Sequence, residues 1–119
     1  SERTPIFRNI HLSNVTGNDI KRIGYIKGIE EMPISELSFS NMNIVAGKGF
    51  QAETATDIRF NNVSFTVEEG PSLNIRQCKD IFLNDVRTKQ PIAGQPVVDL
   101  EAIENLSIIH CDSTQIVRK

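Results

Sequence analysis

The chain lacks the hallmarks of several protein classes. It contains no tryptophan, and only two of its 119 residues, Cys78 and Cys111, are cysteines. Two cysteines this far apart provide neither a disulfide framework nor closely spaced zinc ligands, so we expect two buried small side chains and no metal or cofactor. No apolar run approaches the roughly 18 residues of a membrane span. The first residues, Ser-Glu-Arg-Thr, lack the apolar segment of a signal peptide.

An excess of one charge is also missing. The chain has 13 Lys and Arg against 15 Asp and Glu, which gives a net charge of −2. A general binder of nucleic acid or of anionic membranes needs a clear basic excess. We therefore predict that neither nucleic acid nor a membrane is a partner.

β-Branched residues are abundant instead. The chain has 16 Ile and 8 Val but only 6 Leu and 5 Ala. β-Branched side chains lose rotamer freedom in a helix and pack well on a pleated sheet. The composition therefore predicts an all-β protein.

One seven-residue phrase recurs five times, at residues 9–15, 36–42, 57–63, 80–86 and 105–111. The copies lie 27, 21, 23 and 25 residues apart, and the variation falls between the phrases rather than inside them. A fixed strand joined by adjustable loops is typical of a solenoid.

Aligning the five phrases produces columns of similar residues. Two apolar columns lie two residues apart, on one face of a strand: Ile10, Leu37, Ile58, Ile81 and Leu106, then Leu12, Phe39, Phe60, Leu83 and Ile108. A polar column follows: Asn14, Asn41, Asn62, Asp85 and His110. We interpret this third set, the Asn column, as an inward-facing hydrogen-bonded ladder that ends near Asn62. The next residue in each phrase is again apolar, so two consecutive residues are predicted to face the interior. This break in the alternation predicts a corner in the strand.

A second strand is predicted in each repeat, at residues 24–29, 49–53, 72–76 and 97–101. Equivalent strands one repeat apart must run parallel, so residues 1–119 are predicted to form a single parallel β-helix segment of about five turns of ~24 residues. A β-sandwich would have strands every 8–12 residues but would not need matching columns. We therefore favour the β-helix.

Residues 28–41, followed by 49–52 and 57–63, resemble the C-terminal turns of glycoside hydrolase family 28, the polygalacturonase-like enzymes that degrade pectin. The resemblance extends over roughly residues 5–86. It implies a right-handed parallel β-helix, secretion or a periplasmic location, and contact with a pectin-like polysaccharide through a larger parent enzyme.

The same resemblance implies no activity for this chain alone. The family's catalytic motifs are Asn-Thr-Asp, Asp-Asp, Gly-His-Gly and Arg-Ile-Lys, and none is present, since Arg22-Ile23-Gly24 lacks the lysine. We therefore expect no catalytic residue here and predict a C-terminal section of a longer solenoid. The alternative is a free-standing, non-catalytic β-helix module that binds carbohydrate or a protein partner.

Two sets of charged residues are candidate sites. Glu36, Asp57 and Asp80 form an acidic column that a glycosidase or a calcium site could use, but single acids before each strand are more typical of turns. The basic residues Arg59, Arg76 and Lys79 could contact an anionic polysaccharide, since Arg and Lys pair with carboxylates. A solvated charged face is the more common explanation for such scattered residues.

Apolar residues at the surface predict contacts. Phe82 is predicted to point outward, with Ile109 nearby, so cover by a loop, by residues 114–119 or by a partner is expected. A solenoid also exposes the apolar cross-section of its first turn, here around Ile10 and Leu12. We therefore predict that the isolated chain self-associates through this turn.

Overall fold

The computed structural model describes residues 8–28, 31 and 34–119, with side chains from residue 10 onward. Among them are one 3₁₀-helix, Ser113–Gln115, and no helix long and apolar enough to cross a membrane. The strands are β1 (Arg8–Lys27), β2 (Ile34–Glu53), β3 (Ala55–Val67), β4 (Leu73–Arg76), β5 (Lys79–Arg87), β6 (Val98–Glu101), β7 (Glu104–Ile109) and β8 (Ile116–Arg118).

These strands pair in parallel and coil into a β-solenoid of about 4 turns, which confirms the predicted architecture and comes close to the expected five turns. The register follows the sequence columns, because Leu37 pairs with Ile10 on one side and with Ile58 on the other. Ile81 and Leu106 continue the same column.

The second strand of each repeat is present as well. Residues 24–27 of β1 pair with residues 50–53 of β2, which pair with β4, and β4 pairs with β6. Ile29, the predicted end of the first of these strands, lies outside the described residues, as do residues 30, 32 and 33 of the segment that carries the family resemblance.

Left-handed residues mark the corners of each turn. Three sets of non-glycine residues have φ between 52° and 66°, and members of each set recur one turn apart. The first set is Glu36, Asp57, Asp80 and Asn105, and the second is the Asn column. The third set, Thr54, Gln77 and Ala102, forms a corner that the sequence columns did not predict. At Glu36 and Asn41 the strand continues through the left-handed residue, so β2 wraps around two corners. At the third set the strands stop instead, because β2, β4 and β6 end directly before Thr54, Gln77 and Ala102.

The Asn column marks a corner as predicted, but its predicted inward orientation is wrong. Asn14, Asn41, Asn62 and His110 are exposed, and Asp85 is only half-buried. In the left-handed conformation the backbone rotates at that residue, so its own side chain points to solvent while the next one faces the core. Asn tolerates this conformation better than most residues. This preference, rather than an internal ladder, accounts for the recurring Asn.

The apolar columns form the core, as their periodicity predicts. Leu37, Ile58 and Ile81 are at most 1 % exposed. Phe60 lies at the centre of an aromatic cluster with Phe39, Phe50 and Phe65, at ring-centroid distances of 4.9, 5.8 and 6.4 Å from Phe60. Burying each such side chain contributes about 1.5–3 kcal/mol, so this cluster anchors the middle turns.

Opposite charges alternate along the outer face of the β4 sheet. Lys27 pairs in register with Glu53, Glu53 with Arg76, and Arg76 with Glu101. The Arg76 Nε and Glu101 Oε1 atoms are 3.9 Å apart. We call these four residues the ionic column.

Candidate functional site

An open groove of about 770 Å³ lies on the outer face, along the corner formed by Glu36, Asp57, Asp80 and Asn105. Residues from β2, β3, β5 and β7 line it, so it runs across four successive turns. We call it the outer groove. Its position follows from the fold, because the parallel register brings one corner residue from each turn to the same edge.

Hydrogen bonds hold two of the groove carboxylates. Asp57 Oδ1 accepts from Arg59 Nε at 3.2 Å, and Asp80 Oδ1 accepts from Asn105 Nδ2 at 2.6 Å. These carboxylates thus bond to neighbouring side chains of the groove wall. The acidic column therefore forms one edge of the groove in addition to its role in the turns.

The floor of the outer groove carries an aromatic ring beside a cation. Arg59 and Phe82 are register partners on β3 and β5, and Phe82 pairs in turn with Ser107 on β7. Phe82 is half-buried, whereas the Arg59 side chain is 66 % exposed. Phe82 points outward as predicted, but Ile109 is 41 % exposed, so the expected cover by residues 114–119 is wrong for Ile109.

Amide side chains form a ladder next to the outer groove. Asn84 Nδ2 donates to Asn61 Oδ1 at 2.6 Å, and His110 Nδ1 lies 3.1 Å from Asn84 Oδ1. The sequence columns did not predict the Asn61–Asn84 hydrogen bond, because Ser40 and Ile109 occupy the equivalent position in the neighbouring turns. Within the Asn column itself, Asn62 Nδ2 donates to Asn41 Oδ1 at 2.9 Å.

The three basic residues considered as polysaccharide contacts are not brought together. Arg59 lies in the outer groove. Lys79 forms an ion pair with Glu104 at 3.9 Å, and Arg76 belongs to the ionic column, outside the groove. Each is already paired with an acid. The structure therefore provides no cluster of unpaired cations from these three residues.

The two residues whose pKa values are clearly shifted lie outside the outer groove. Burial raises the pKa of the Cys78 thiol, and a hydrogen bond from the Thr114 hydroxyl lowers the pKa of Asp112, but neither residue lines the groove. Within residues 8–28, 31 and 34–119, no three His, Cys, Asp or Glu side chains are placed to hold a metal ion. The groove offers a ring face, amides and hydrogen-bonded carboxylates, which suit a hydroxyl-rich ligand.

Comparison with protein-family models, with curated proteins and with solved structures finds no match to the chain. Its function is therefore inferred from the fold, the outer groove and the sequence resemblance.

Proposed function

We propose that this chain is a non-catalytic section of the β-helix of a polygalacturonase-like glycoside hydrolase, secreted or periplasmic, which extends the core of the parent enzyme. The observation that carries the proposal is the unbroken register of the core columns from β1 to β7. Such a column can add turns without changing its geometry.

Exposed core residues support the same proposal. Leu12 and Ile108 belong to the column that contains Phe39, Phe60 and Leu83, yet they are 43 % and 38 % exposed. Side chains in this position are normally covered by the neighbouring turn. Further turns of the same solenoid, or a second copy of the chain, would cover them.

The absence of activity in the isolated chain is part of the proposal. An inverting glycosidase needs one carboxylic acid and one carboxylate on opposite sides of the scissile bond. Asp57 and Asp80 instead lie on one edge of the outer groove, and each is engaged by a neighbouring side chain. The hydrolytic residues would then belong to other turns of the parent enzyme.

Two measurements test this proposal. The purified chain, incubated with polygalacturonate, is expected to release no reducing ends above a heat-denatured control. The reading frame upstream of Ser1 is expected to continue and to encode Asp-Asp and Gly-His-Gly motifs. Turnover by the isolated chain, or an upstream frame without these motifs, would contradict the proposal.

A second candidate function is a free-standing module that binds carbohydrate. The observation that favours it is the outer groove, where a half-buried ring and hydrogen-bonding side chains lie together across four turns. A start codon or a signal peptide directly before Ser1, together with retention of the chain on an insoluble polysaccharide, would favour this candidate over the first.

A further inference from the structure

We propose that the outer groove binds an uncharged polysaccharide, such as a methyl-esterified galacturonan, in preference to a polyanion. This inference rests on the proposed function, because it assumes that the chain serves a protein that acts on polysaccharide. It goes further by assigning the binding surface and the charge of its ligand.

The charge of the outer groove is the first argument. Glu36, Asp57 and Asp80 contribute three negative charges and Arg59 one positive charge, so the groove carries 1 − 3 = −2. The single cation is already bonded to Asp57. A polymer with a carboxylate on every sugar would bring like charges together along the whole groove, which costs free energy at low ionic strength.

The hydrogen-bonding groups are the second argument. Carboxylate oxygens accept charge-assisted hydrogen bonds from hydroxyl groups, and these bonds are stronger than neutral ones. Asn61 and Asn84 present amide groups beside the groove. An uncharged sugar supplies hydroxyl donors to these acceptors without the repulsion that a uronate adds.

The aromatic ring is the third argument. Phe82 is half-buried, and its register partners on the neighbouring strands are Arg59 and Ser107. An apolar ring face among polar side chains is a common element of ligand sites, since it packs against an apolar surface while the polar groups set orientation. The apolar C–H face of a sugar ring fits this arrangement.

A pair of ligands that differ only in their carboxyl groups, methyl-esterified in one and free in the other, tests the inference. Binding of the chain to highly methyl-esterified pectin and to the same pectin after complete saponification is measured by affinity gel electrophoresis at low salt. We expect binding to the ester to be on the order of tenfold tighter, and we expect added salt to reduce the difference because it screens the repulsion.

Variants locate the binding surface. Phe82→Leu keeps an apolar side chain but removes the ring, and is expected to weaken binding to the ester several-fold. The double variant Asp57→Asn/Asp80→Asn is expected to strengthen binding to the saponified polymer, and Asn tolerates the left-handed backbone at both positions. Tyr25→Leu, which removes an exposed aromatic ring outside the outer groove, is the matched control for Phe82→Leu and should change neither affinity.

Each outcome has a distinct meaning. Tighter binding to the saponified polymer would overturn the inference while leaving the hydrolase proposal intact. Binding to neither polymer, or binding that Phe82→Leu leaves unchanged, would overturn the outer groove as the ligand surface. The hydrolase proposal is decided separately, by the reading frame and the activity of the chain.

Discussion

Phe39 and Phe60 stack one turn apart, with ring centroids separated by 4.9 Å and ring planes 15° from parallel. The two residues lie 21 positions apart in the chain, and they meet because β2 and β3 pair in register. The same repeat length that aligns the sequence columns therefore places one ring on the other.

Removing the Phe60 ring should strongly destabilise the fold. Phe60 is fully buried among three other aromatic rings, so Phe60→Ala leaves a cavity and should reduce the free energy of unfolding by about 3–5 kcal/mol. Tyr25→Ala is the control, because Tyr25 is 48 % exposed and should cost less than ~1 kcal/mol. Urea unfolding followed by circular dichroism measures both values. Equal losses would show that the cluster does not anchor the middle turns.

The Asn column should depend on backbone conformation more than on its hydrogen bonds. Asn62 has φ of 57°, donates an exposed hydrogen bond to Asn41 and accepts one from Arg87 Nη1 at 3.0 Å. Asn62→Ala should reduce the free energy of unfolding by roughly 1–2 kcal/mol, because Ala lacks the short polar side chain that makes the left-handed conformation accessible to Asn. Asn62→Gly loses the same hydrogen bonds but adopts positive φ freely, so it should be less destabilising. Equal losses in the two variants would mean that the side-chain hydrogen bonds, which both variants lose, are the main contribution.

Gly49 should tolerate no side chain. A Cβ atom at this position would collide with the Ser72 carbonyl oxygen, which belongs to the backbone and cannot rotate away. Gly49→Ala should therefore reduce the free energy of unfolding by about 1–3 kcal/mol, as overpacking of a core does. Gly70 is the comparison: it has φ of 76° but open space around it, so Gly70→Ala should cost only about 1 kcal/mol. Denaturant midpoints of the two variants measure both losses. A larger loss for Gly49→Ala is expected, and equal losses would show that the clash with the Ser72 carbonyl oxygen is relieved.

The two cysteines should differ in reactivity. Cys78 is buried, and this burial raises the pKa of its thiol, whereas Cys111 is half-buried. At pH 8, Ellman's reagent should react with Cys111 faster than with Cys78. The variants Cys111→Ser and Cys78→Ser assign each rate to one thiol. Faster labelling of Cys78 would show that its site opens readily to solvent.

The raised pKa of Cys78 also predicts a pH dependence of stability. The folded state favours the neutral thiol, so this contribution is complete below the usual thiol pKa of about 8.5 and is lost as the pH rises through the higher folded pKa. Cys78→Ala should therefore lose less stability than the wild type between neutral and alkaline pH. Parallel curves for the two proteins would contradict this assignment.

The core could be predicted from sequence because its columns must repeat. Every turn places Ile, Leu or Phe at the same two positions, so alignment of the five phrases is enough to predict which residues pair between turns. The corner at Thr54, Gln77 and Ala102 could not be predicted in this way because these residues share no chemistry. The outward direction of Asn62 was missed because residue type alone does not report the sign of φ.

The outer groove could be predicted only in part. Glu36, Asp57 and Asp80 align as a column in the sequence, but their position beside Phe82 depends on the register between turns and on the rotation at each left-handed corner. The partners of Arg59, Arg76 and Lys79 depend on the same geometry, and these partners separate the three cations into different ion pairs.

The alternating charges of the ionic column disfavour a turn that skips one repeat. Core columns made of interchangeable apolar side chains cannot distinguish a correct neighbour from a turn that has skipped one repeat. Such a skip would place Lys27 beside Arg76 and Glu53 beside Glu101, because the charges alternate in register. Like charges directly opposite in neighbouring strands are destabilising. The four charges of the ionic column thus raise the energy of a skipped turn relative to the correct register, although exposed ion pairs contribute little to the stability of the folded chain.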